Sequence, residues 1–285
     1  MKLIICNFLI FIYFSANALE VVTTSPVYSE IANNIQGISN HRRYWFISNQ
    51  WKIFQIGKSV ELKSKNFYPP MLKNYRAISI PESLKVQGYN HFGGITVYKN
   101  NLVVALERVK PMKLLFFDVD SLDLVKIYDV PSRMDSLSWV AASEGKIYFS
   151  ENKITKKRPL YVLDPSNWKL KEIYLNQKLA RIQGGTYSKR YQGLYLSSDA
   201  GASDGGVYFL DLLNLNIKQE VGVFYNRGFP TYGELEGLTL DIDLKNERVT
   251  LLYLDNNFIE DSFQFIHISN FKNDRLKRLT IDKDF

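Results

Sequence analysis

Several residue types that often define a protein's chemistry are scarce in this sequence. Cysteine occurs once, as Cys6, so no disulfide can form within one chain. The three histidines are far apart in sequence, which gives no spacing support to a histidine zinc site. No Asn-x-Ser/Thr sequon occurs, and this favours a bacterial protein over a eukaryotic glycoprotein.

Charge and hydropathy exclude further classes. Lys and Arg number 36 against 29 Asp and Glu, but the two signs are interspersed, which is not typical of a nucleic-acid-binding stripe. Hydrophobic residues make up 46% of the chain and charged residues 23%, as expected of a globular protein. Aromatic residues reach 14% and recur in short alternating runs, which favours strands over helices. The chain is therefore predicted to be all-β.

Residues 1–18 have the pattern of a signal peptide. A lysine is followed by an apolar run over residues 3–14 and by Ala-Asn-Ala at 16–18. The run is too short for a membrane-spanning helix, which needs roughly 20 residues, and no second run follows. We expect cleavage after Ala18, export to the periplasm or beyond the cell, and a single domain over residues 19–285. An uncleaved N-terminal anchor is the alternative.

A unit of four short apolar runs recurs along the sequence, at a spacing of about 40 to 57 residues. The first run of each copy opens with glycine beside an apolar or β-branched residue, except in the third copy, where tryptophan replaces the glycine. First runs lie at 36–39, 93–96, 137–140, 183–186 and 236–239, and second runs at 44–47, 102–105, 146–149, 193–196 and 249–252. Third runs lie at 51–54, 114–118, 160–164, 207–211 and 263–267, and fourth runs at 76–80, 126–130, 172–175, 221–224 and 276–281.

Five copies of a four-strand unit predict a five-bladed β-propeller of four-stranded antiparallel blades. A blade has two apolar faces and cannot bury both alone, so blades must pack around an axis. Residues 19–35 are left as a lead-in that can add an edge strand to the last blade. A six-bladed ring, with a degenerate blade between Glu61 and Tyr89, and a β-sandwich are the alternatives.

Several short motifs in the repeats resemble those of secreted β-propeller proteins of the YVTN/NHL-like and gluconolactonase-like type. The motifs are His91-Phe92-Gly93, Gln183-Gly184-Gly185, Ser198-Asp199, Gly205-Gly206-Val207-Tyr208 and the run from Gly233 to Thr239. The resemblance covers roughly residues 34–271 and implies a propeller. Gluconolactonase-type enzymes hold a metal on the propeller axis with a glutamate and with asparagine and aspartate from other blades. Only Glu236 matches that motif.

Polar residues recur where the predicted second strands end. In a propeller, these ends and the starts of the inner strands open on one face around the axis, so their side chains are predicted to converge. The second strands end at Asn49, Glu107, Glu151, Asp199 and Asp255, and Gln36, His91, Gln183 and Glu236 open inner strands. Crowded carboxylates hold protons, pair with Arg or Lys, or bind a cation. Capping of neighbouring loops is the structural alternative.

Roles follow for these residues. A hard cation with oxygen ligands, calcium first, is predicted at Asp199, Glu236 and Asp255. His91 and Glu107 are the predicted proton-transfer residues, and Trp139, in place of the repeat's glycine, either lines the mouth as a ligand platform or fills a void in the packing. Further ligand-binding residues are predicted at Gln36, Asn49, Glu151 and Gln183.

Two functions are consistent with this sequence. The first is an exported binding or scaffold protein that presents an acidic and aromatic axial pocket to a small molecule or a protein, with no nucleic acid, no membrane span in the mature chain, and a monomeric state. The second is a calcium-dependent lactonase-like or ester hydrolase, in which the metal polarises a carbonyl and His91 or Glu107 moves a proton. A serine hydrolase is rejected, because the Gly-x-Ser-x-Gly word at 201–205 is followed by a strand and not by a helix.

Overall fold

The architecture is a ring of five four-stranded antiparallel sheets, a five-bladed β-propeller. The computed structural model describes residues 20–23, 27–28, 34–58, 75–200, 205–225, 232–240, 248–256, 262–269 and 277–281. The predicted signal peptide at 1–18 lies outside these residues. The five-bladed prediction is confirmed, and the six-bladed ring and the sandwich are not observed among the described strands.

The strands follow the predicted four-run units closely, because the near-continuous apolar runs of strands such as β4 and β8 are buried on both faces. From the axis outward, blade one contains β3 (Ile35–Asn40), β4 (Tyr44–Asn49), β5 (Lys52–Gly57) and β6 (Tyr75–Ser79), and blade two contains β7 (His91–Tyr98), β8 (Asn101–Glu107), β9 (Lys113–Asp118) and β10 (Leu124–Asp129). Blade three contains β11 (Trp139–Ala142), β12 (Ile147–Ser150), β14 (Leu160–Asp164) and β15 (Lys169–Ile173). Blade four contains β17 (Ile182–Ser188), β18 (Gly193–Ser198), β19 (Gly206–Asp211) and β20 (Ile217–Tyr225).

Blade five is completed by the beginning of the described chain. Its strands are β21 (Tyr232–Leu240), β22 (Arg248–Asn256), β23 (Ser262–Ser269) and, antiparallel to β23, β1 (Glu20–Thr23). The short β2 (Val27–Tyr28) also pairs with β23. The lead-in was therefore correctly predicted to supply an edge strand to the last blade.

The last strand of the chain departs from the prediction. The fourth run of the fifth repeat was expected to complete blade five, but β24 (Lys277–Ile281) pairs in parallel with β20 of blade four. Because β1 already occupies the edge of β23, the sequence pattern alone could not assign the partner of this strand. Outside the blades lie the helix α1 (Glu82–Lys85) and a two-stranded pair of β13 (Lys153–Ile154) with β16 (Leu179–Ala180).

The core lies between the blades. Buried apolar side chains of the described residues form five clusters, one at each junction between neighbouring blades, including the junction of blade five with blade one. Strand alternation divides the residues of β4: Trp45 and Ile47 pack towards Leu252 of blade five, whereas Phe46 packs towards Phe92 of blade two. Each blade is thus stabilised by both of its neighbours.

Near the axis the inner strands approach so closely that side chains do not fit between them. A Cβ on Gly237 would lie 2.5 Å from the Cα of Gly37, and one on Gly184 would lie 2.7 Å from the Cα of Gly237. Serine hydroxyls join neighbouring blades at the same level. Ser48 donates to the carbonyl of Gly93 at 2.9 Å, Ser138 to that of Ile182 at 2.7 Å, and Ser197 to that of Glu236 at 2.6 Å.

Candidate functional site

Strand register places the predicted polar residues at one end of the axis, here called the axial mouth, where inner strands begin and second strands end. His91 pairs with Glu107, and Gly233 with Asp255. The other blades follow the same arrangement, with the pairs Ile35↔Asn49, Trp139↔Ser150 and Ile182↔Ser198, the last two preceding Glu151 and Asp199.

Four inner strands are bulged just beyond their first residues. The register shifts in β3 between Ile35 and Gly37, in β17 between Ile182 and Gly184, and at corresponding points of β7 and β21. A β-bulge inserts a residue and turns its side chain away from the regular alternation. Gln36, Gln183 and Glu236 occupy these positions, so the repeat places one polar residue in the bulge of each of three blades.

The first group at the mouth contains His91, Gln36 and Glu107. The Nε2 atom of His91 lies 3.3 Å from Gln36 Oε1 and 3.4 Å from Glu107 Oε1. Burial and, to a smaller extent, the charge of Arg108 lower the pKa of His91 from 6.5 to about 4, so the imidazole is neutral at pH 7. Burial raises the pKa of Glu107, while a hydrogen bond from the backbone of Leu137 and the charge of Arg108 oppose that rise.

These contacts assign the proton of the neutral imidazole. The amide nitrogen of Gln36 donates to the carbonyls of Ile35 and Asn34, at 3.2 and 3.3 Å, which leaves its oxygen facing His91. With two acceptors beside Nε2, the hydrogen belongs on that nitrogen. Nδ1 then carries a lone pair, and it is buried without a hydrogen-bond partner among the described residues.

Glu236 is the centre of the second group. Its carboxyl is fully buried, and burial, the charge of Glu234, a hydrogen bond with Glu234 and the charges of Asp199 and Glu107 together raise its pKa well above 4.5. The protonated form is therefore favoured. One carboxyl oxygen, Oε1, has no hydrogen-bond partner within the described part of the chain.

Asp199 is held by an arginine that the sequence analysis missed. The Nη2 atom of Arg181 lies 2.5 Å from Asp199 Oδ2 and 3.7 Å from Glu234 Oε1. Arg181 has a left-handed backbone with φ of 48°, and its carbonyl accepts the N–H of Asp199 at 2.9 Å. Asn34 has the same φ before β3, and its carbonyl accepts the N–H of Gln50 at 3.0 Å. The two blades thus share one loop geometry at the mouth.

Strand register places three of the predicted acids, Glu107, Asp199 and Glu236, at the axial mouth. The charges of Glu107 and Asp199 both contribute to the raised pKa of Glu236. The side chain of Asp255 lies outside the described residues, although its backbone pairs with Gly233 at the same end. Gln183 is half-buried in the bulge of β17.

Two predicted ligand-binding residues are engaged in loop structure. Glu151 Oε1 accepts the backbone N–H of Asp135 at 2.7 Å, and its other oxygen forms an ion pair with Arg158. Asn49 Oδ1 accepts the two backbone N–H groups that lead into β5, at 3.0 and 2.8 Å. These contacts correspond to the loop-capping alternative.

The structure places Trp139 in the core. Its side chain is fully buried, its indole N–H donates to Ser150 Oγ at 2.9 Å, and a Cβ on Gly185 would lie 2.6 Å from its ring. The ring therefore fills the space between blades three and four, which is the packing alternative for this residue. No feature of its sequence context distinguishes a wall of the mouth from a filled void.

In the described ranges, no three His, Cys, Asp or Glu side chains lie close enough to hold a metal ion. The side chain of Asp255, a predicted ligand, lies outside these ranges. Of the other two predicted ligands, Asp199 is paired with Arg181, and the pKa of Glu236 is raised.

Among the described residues, no helix has the length and hydropathy that crossing a membrane requires.

Comparisons with known proteins identify the fold. No family model and no curated protein sequence match the chain. Its structure is similar to that of a glutaminyl cyclase from Myxococcus xanthus, with a TM-score of 0.55, 10% identity, and coverage of 87% of this chain and 96% of that one. It also matches a hydrazine synthase from Kuenenia stuttgartiensis with a TM-score of 0.36 and 10% identity, over 59% of this chain and 48% of that one. The first likeness shows a shared propeller fold.

Proposed function

We propose that the protein is a binding protein whose axial mouth holds a small ligand that donates hydrogen bonds. One observation carries the proposal: His91 Nδ1 and Glu236 Oε1 are buried acceptors at one end of the axis, and neither has a protein donor within the described residues. Leaving a buried polar group unpaired costs roughly 1–3 kcal/mol. A ligand that donates to both acceptors recovers this cost.

Charge supports a cationic donor. The mouth brings together Glu107, Glu234, Glu236 and Asp199, and the arginines beside them are Arg181 and Arg108. A primary ammonium group has three donors and no acceptor, so it complements both the unpaired acceptors and the excess of carboxyl groups.

The outer part of the mouth provides the route of entry. The side chain of Glu234 is 35% exposed and that of Arg181 is 51% exposed, whereas Glu236 beneath them is buried. An ammonium group that approaches Glu234 meets an accessible carboxylate before it reaches the buried acceptors.

The proposal is tested by binding measurements with a defined panel. Benzylammonium, glycinamide and methylguanidinium are titrated calorimetrically against the purified chain, with acetamide and acetate as comparison ligands. We expect the cations to bind, and His91→Phe and Glu236→Met to weaken them by about tenfold each, as loss of a charge-assisted hydrogen bond implies. Glu144→Gln is the matched control, because Glu144 is 78% exposed in a turn at the opposite end of blade three. Equal binding by wild type and both mouth variants would refute the proposal, as would no binding at all.

A second candidate function is acid–base catalysis at the same mouth. The observation that favours it is the opposite protonation of two groups: the raised pKa of Glu236 favours its acid form, and the pKa of about 4 leaves His91 as a free base. The gluconolactonase-like resemblance suggests lactones and aryl esters as substrates, and the Myxococcus neighbour suggests glutaminyl cyclase activity. Turnover in any of these assays that disappears in Glu236→Gln and in His91→Phe would support an enzyme.

Two further parts of the proposal are a calcium ion at the mouth and export of the protein from the cytoplasm. The carboxylates at the mouth suggest calcium at Asp199, Glu236 and Asp255, of which only Glu236 matches the gluconolactonase motif. Melting with added calcium or with EDTA tests this role: a rise in melting temperature with calcium that Glu236→Gln abolishes would support it. We infer export from the pattern at residues 1–18. Mass spectrometry of the chain expressed in a bacterial host should then find an N-terminus at Leu19.

A further inference from the structure

A cavity lies on the face of the propeller that carries the axial mouth, but further from the axis. It has a volume of about 390 Å³ and is bounded by the β4–β5 hairpin, the end of β6 and the segment after α1. This volume is within the usual range for small-molecule sites, about 300–1,000 Å³. It shares no residue with the groups of the mouth, and its lining includes Trp51, Lys52, Ile80, Lys85, Tyr89 and Asn90.

The walls of the cavity are largely aromatic and apolar. Ile80 and Tyr89 are buried, and the hydroxyl of Tyr89 donates to the carbonyl of Pro111 at 2.5 Å, which fixes its ring. Trp51 is 45% exposed, whereas Trp45 and Trp139 are buried in the core. A large exposed indole beside a concave apolar surface offers a stacking partner to a flat ligand.

The charged residues described at the edge of this cavity are basic. Among the described residues that line it, the charged ones are Lys52 and Lys85. Lys85 is 45% exposed and its Nζ lies 3.3 Å from Glu82, a carboxylate that does not line the cavity. Asn90 adds a side-chain amide at the rim. The cavity therefore combines an apolar wall with a positive edge, in contrast to the acidic mouth.

We propose that this cavity binds a small aromatic carboxylate, with the ring against Trp51 and Tyr89 and the carboxylate towards Lys85. A ring system of one or two rings suits the volume. The site is independent of the mouth in location and in the sign of its ligand's charge, so one can fail without the other.

The test uses 2-naphthoate as the probe and 2-naphthamide as its neutral counterpart, with calorimetry and ligand-observed NMR on the full chain. We expect saturable binding of the naphthoate, about fivefold tighter than the amide, and a similar loss in Lys85→Gln, as expected for one exposed charge pair. Trp51→Ala should weaken binding by about tenfold. Because Trp51 and Lys85 are surface residues, both variants should keep the wild-type circular dichroism spectrum.

Two controls separate this site from the rest of the molecule. Lys99→Gln makes the same charge change in the β7–β8 turn, at the opposite end of the blade, and should leave naphthoate binding unchanged. His91→Phe, which removes an acceptor of the mouth, should also leave it unchanged. Equal affinity for acid and amide, full affinity in Lys85→Gln, loss in His91→Phe, or no saturable binding by the wild type would each overturn the proposal.

Discussion

Replacing Gly237 by alanine tests the close approach of the inner strands at the axis. The new Cβ would lie 2.5 Å from the Cα of Gly37 and 2.7 Å from the backbone nitrogen of Ile38. Both neighbours are backbone atoms, so rotation of a side chain cannot relieve the overlap. Overpacking of this kind costs typically about 1–3 kcal/mol, whereas the reduced freedom of the unfolded chain returns about 0.4–1 kcal/mol. We expect a net loss of about 1 kcal/mol in the free energy of unfolding, with about 2.5 kcal/mol as the upper end.

Urea denaturation followed by circular dichroism measures this loss, with Gly145→Ala as the matched control. A Cβ on Gly145 meets no atom within 4 Å, so that variant has the same effect on the unfolded chain without the overlap. It should be unchanged or more stable by about 0.5 kcal/mol. If Gly237→Ala proves as stable as Gly145→Ala, the inner strands do not pack as described, and the geometry of the mouth loses its foundation.

Three further predictions concern the mouth. The proton held by Glu236 stabilises the fold fully below the ordinary pKa of 4.5, and this stabilisation is lost as pH rises through the raised pKa. Glu236→Gln should therefore gain stability relative to wild type as pH rises above 4.5, and an unfolding series at several pH values that shows no such trend would contradict the raised pKa. Ser197→Ala leaves the buried carbonyl of Glu236 without its donor and should lower the free energy of unfolding by about 1–3 kcal/mol in urea titrations, while Ser166→Ala, on an exposed turn, should change it by less than about 0.5 kcal/mol. The ring signals of His91 in NMR spectra should stay those of a neutral imidazole down to about pH 5, because its pKa is lowered to about 4, and a titration midpoint near 6.5 would disprove its burial beside Gln36.

The propeller could be predicted because its information is local and repeated. The near-continuous apolar runs of β8 and β18 predict strands buried on both faces, and five repeats of a four-strand unit leave little choice of architecture. The same periodicity predicted that Glu107, Asp199 and Glu236 lie at one end of the propeller axis. The position of a side chain along a strand follows from where the apolar run begins and ends, and the sequence shows those limits.

The contacts between blades could not be predicted in this way. Arg181, which pairs with Asp199, has a left-handed backbone, and nothing in its sequence neighbours requires that conformation. Glu234 lies two residues before Glu236 in the sequence. Its effect on the pKa of Glu236 depends on a hydrogen bond between the two carboxyl groups, which the spacing alone does not show. The predicted partner of β24 was wrong for a related reason. An edge strand pairs with whichever sheet edge is still unpaired, and its own sequence does not show which edge that is.

The pairing of β1 with β23 has a consequence for the order of folding. Residues at 20–23 meet residues at 266–269, so this seam joins segments that almost the whole propeller separates. Contacts of such long sequence separation form late, because the intervening chain must first become compact. The final closure of the circle therefore waits for the other blades, and until then the apolar flanks of blades one and five stay open to solvent and to other chains.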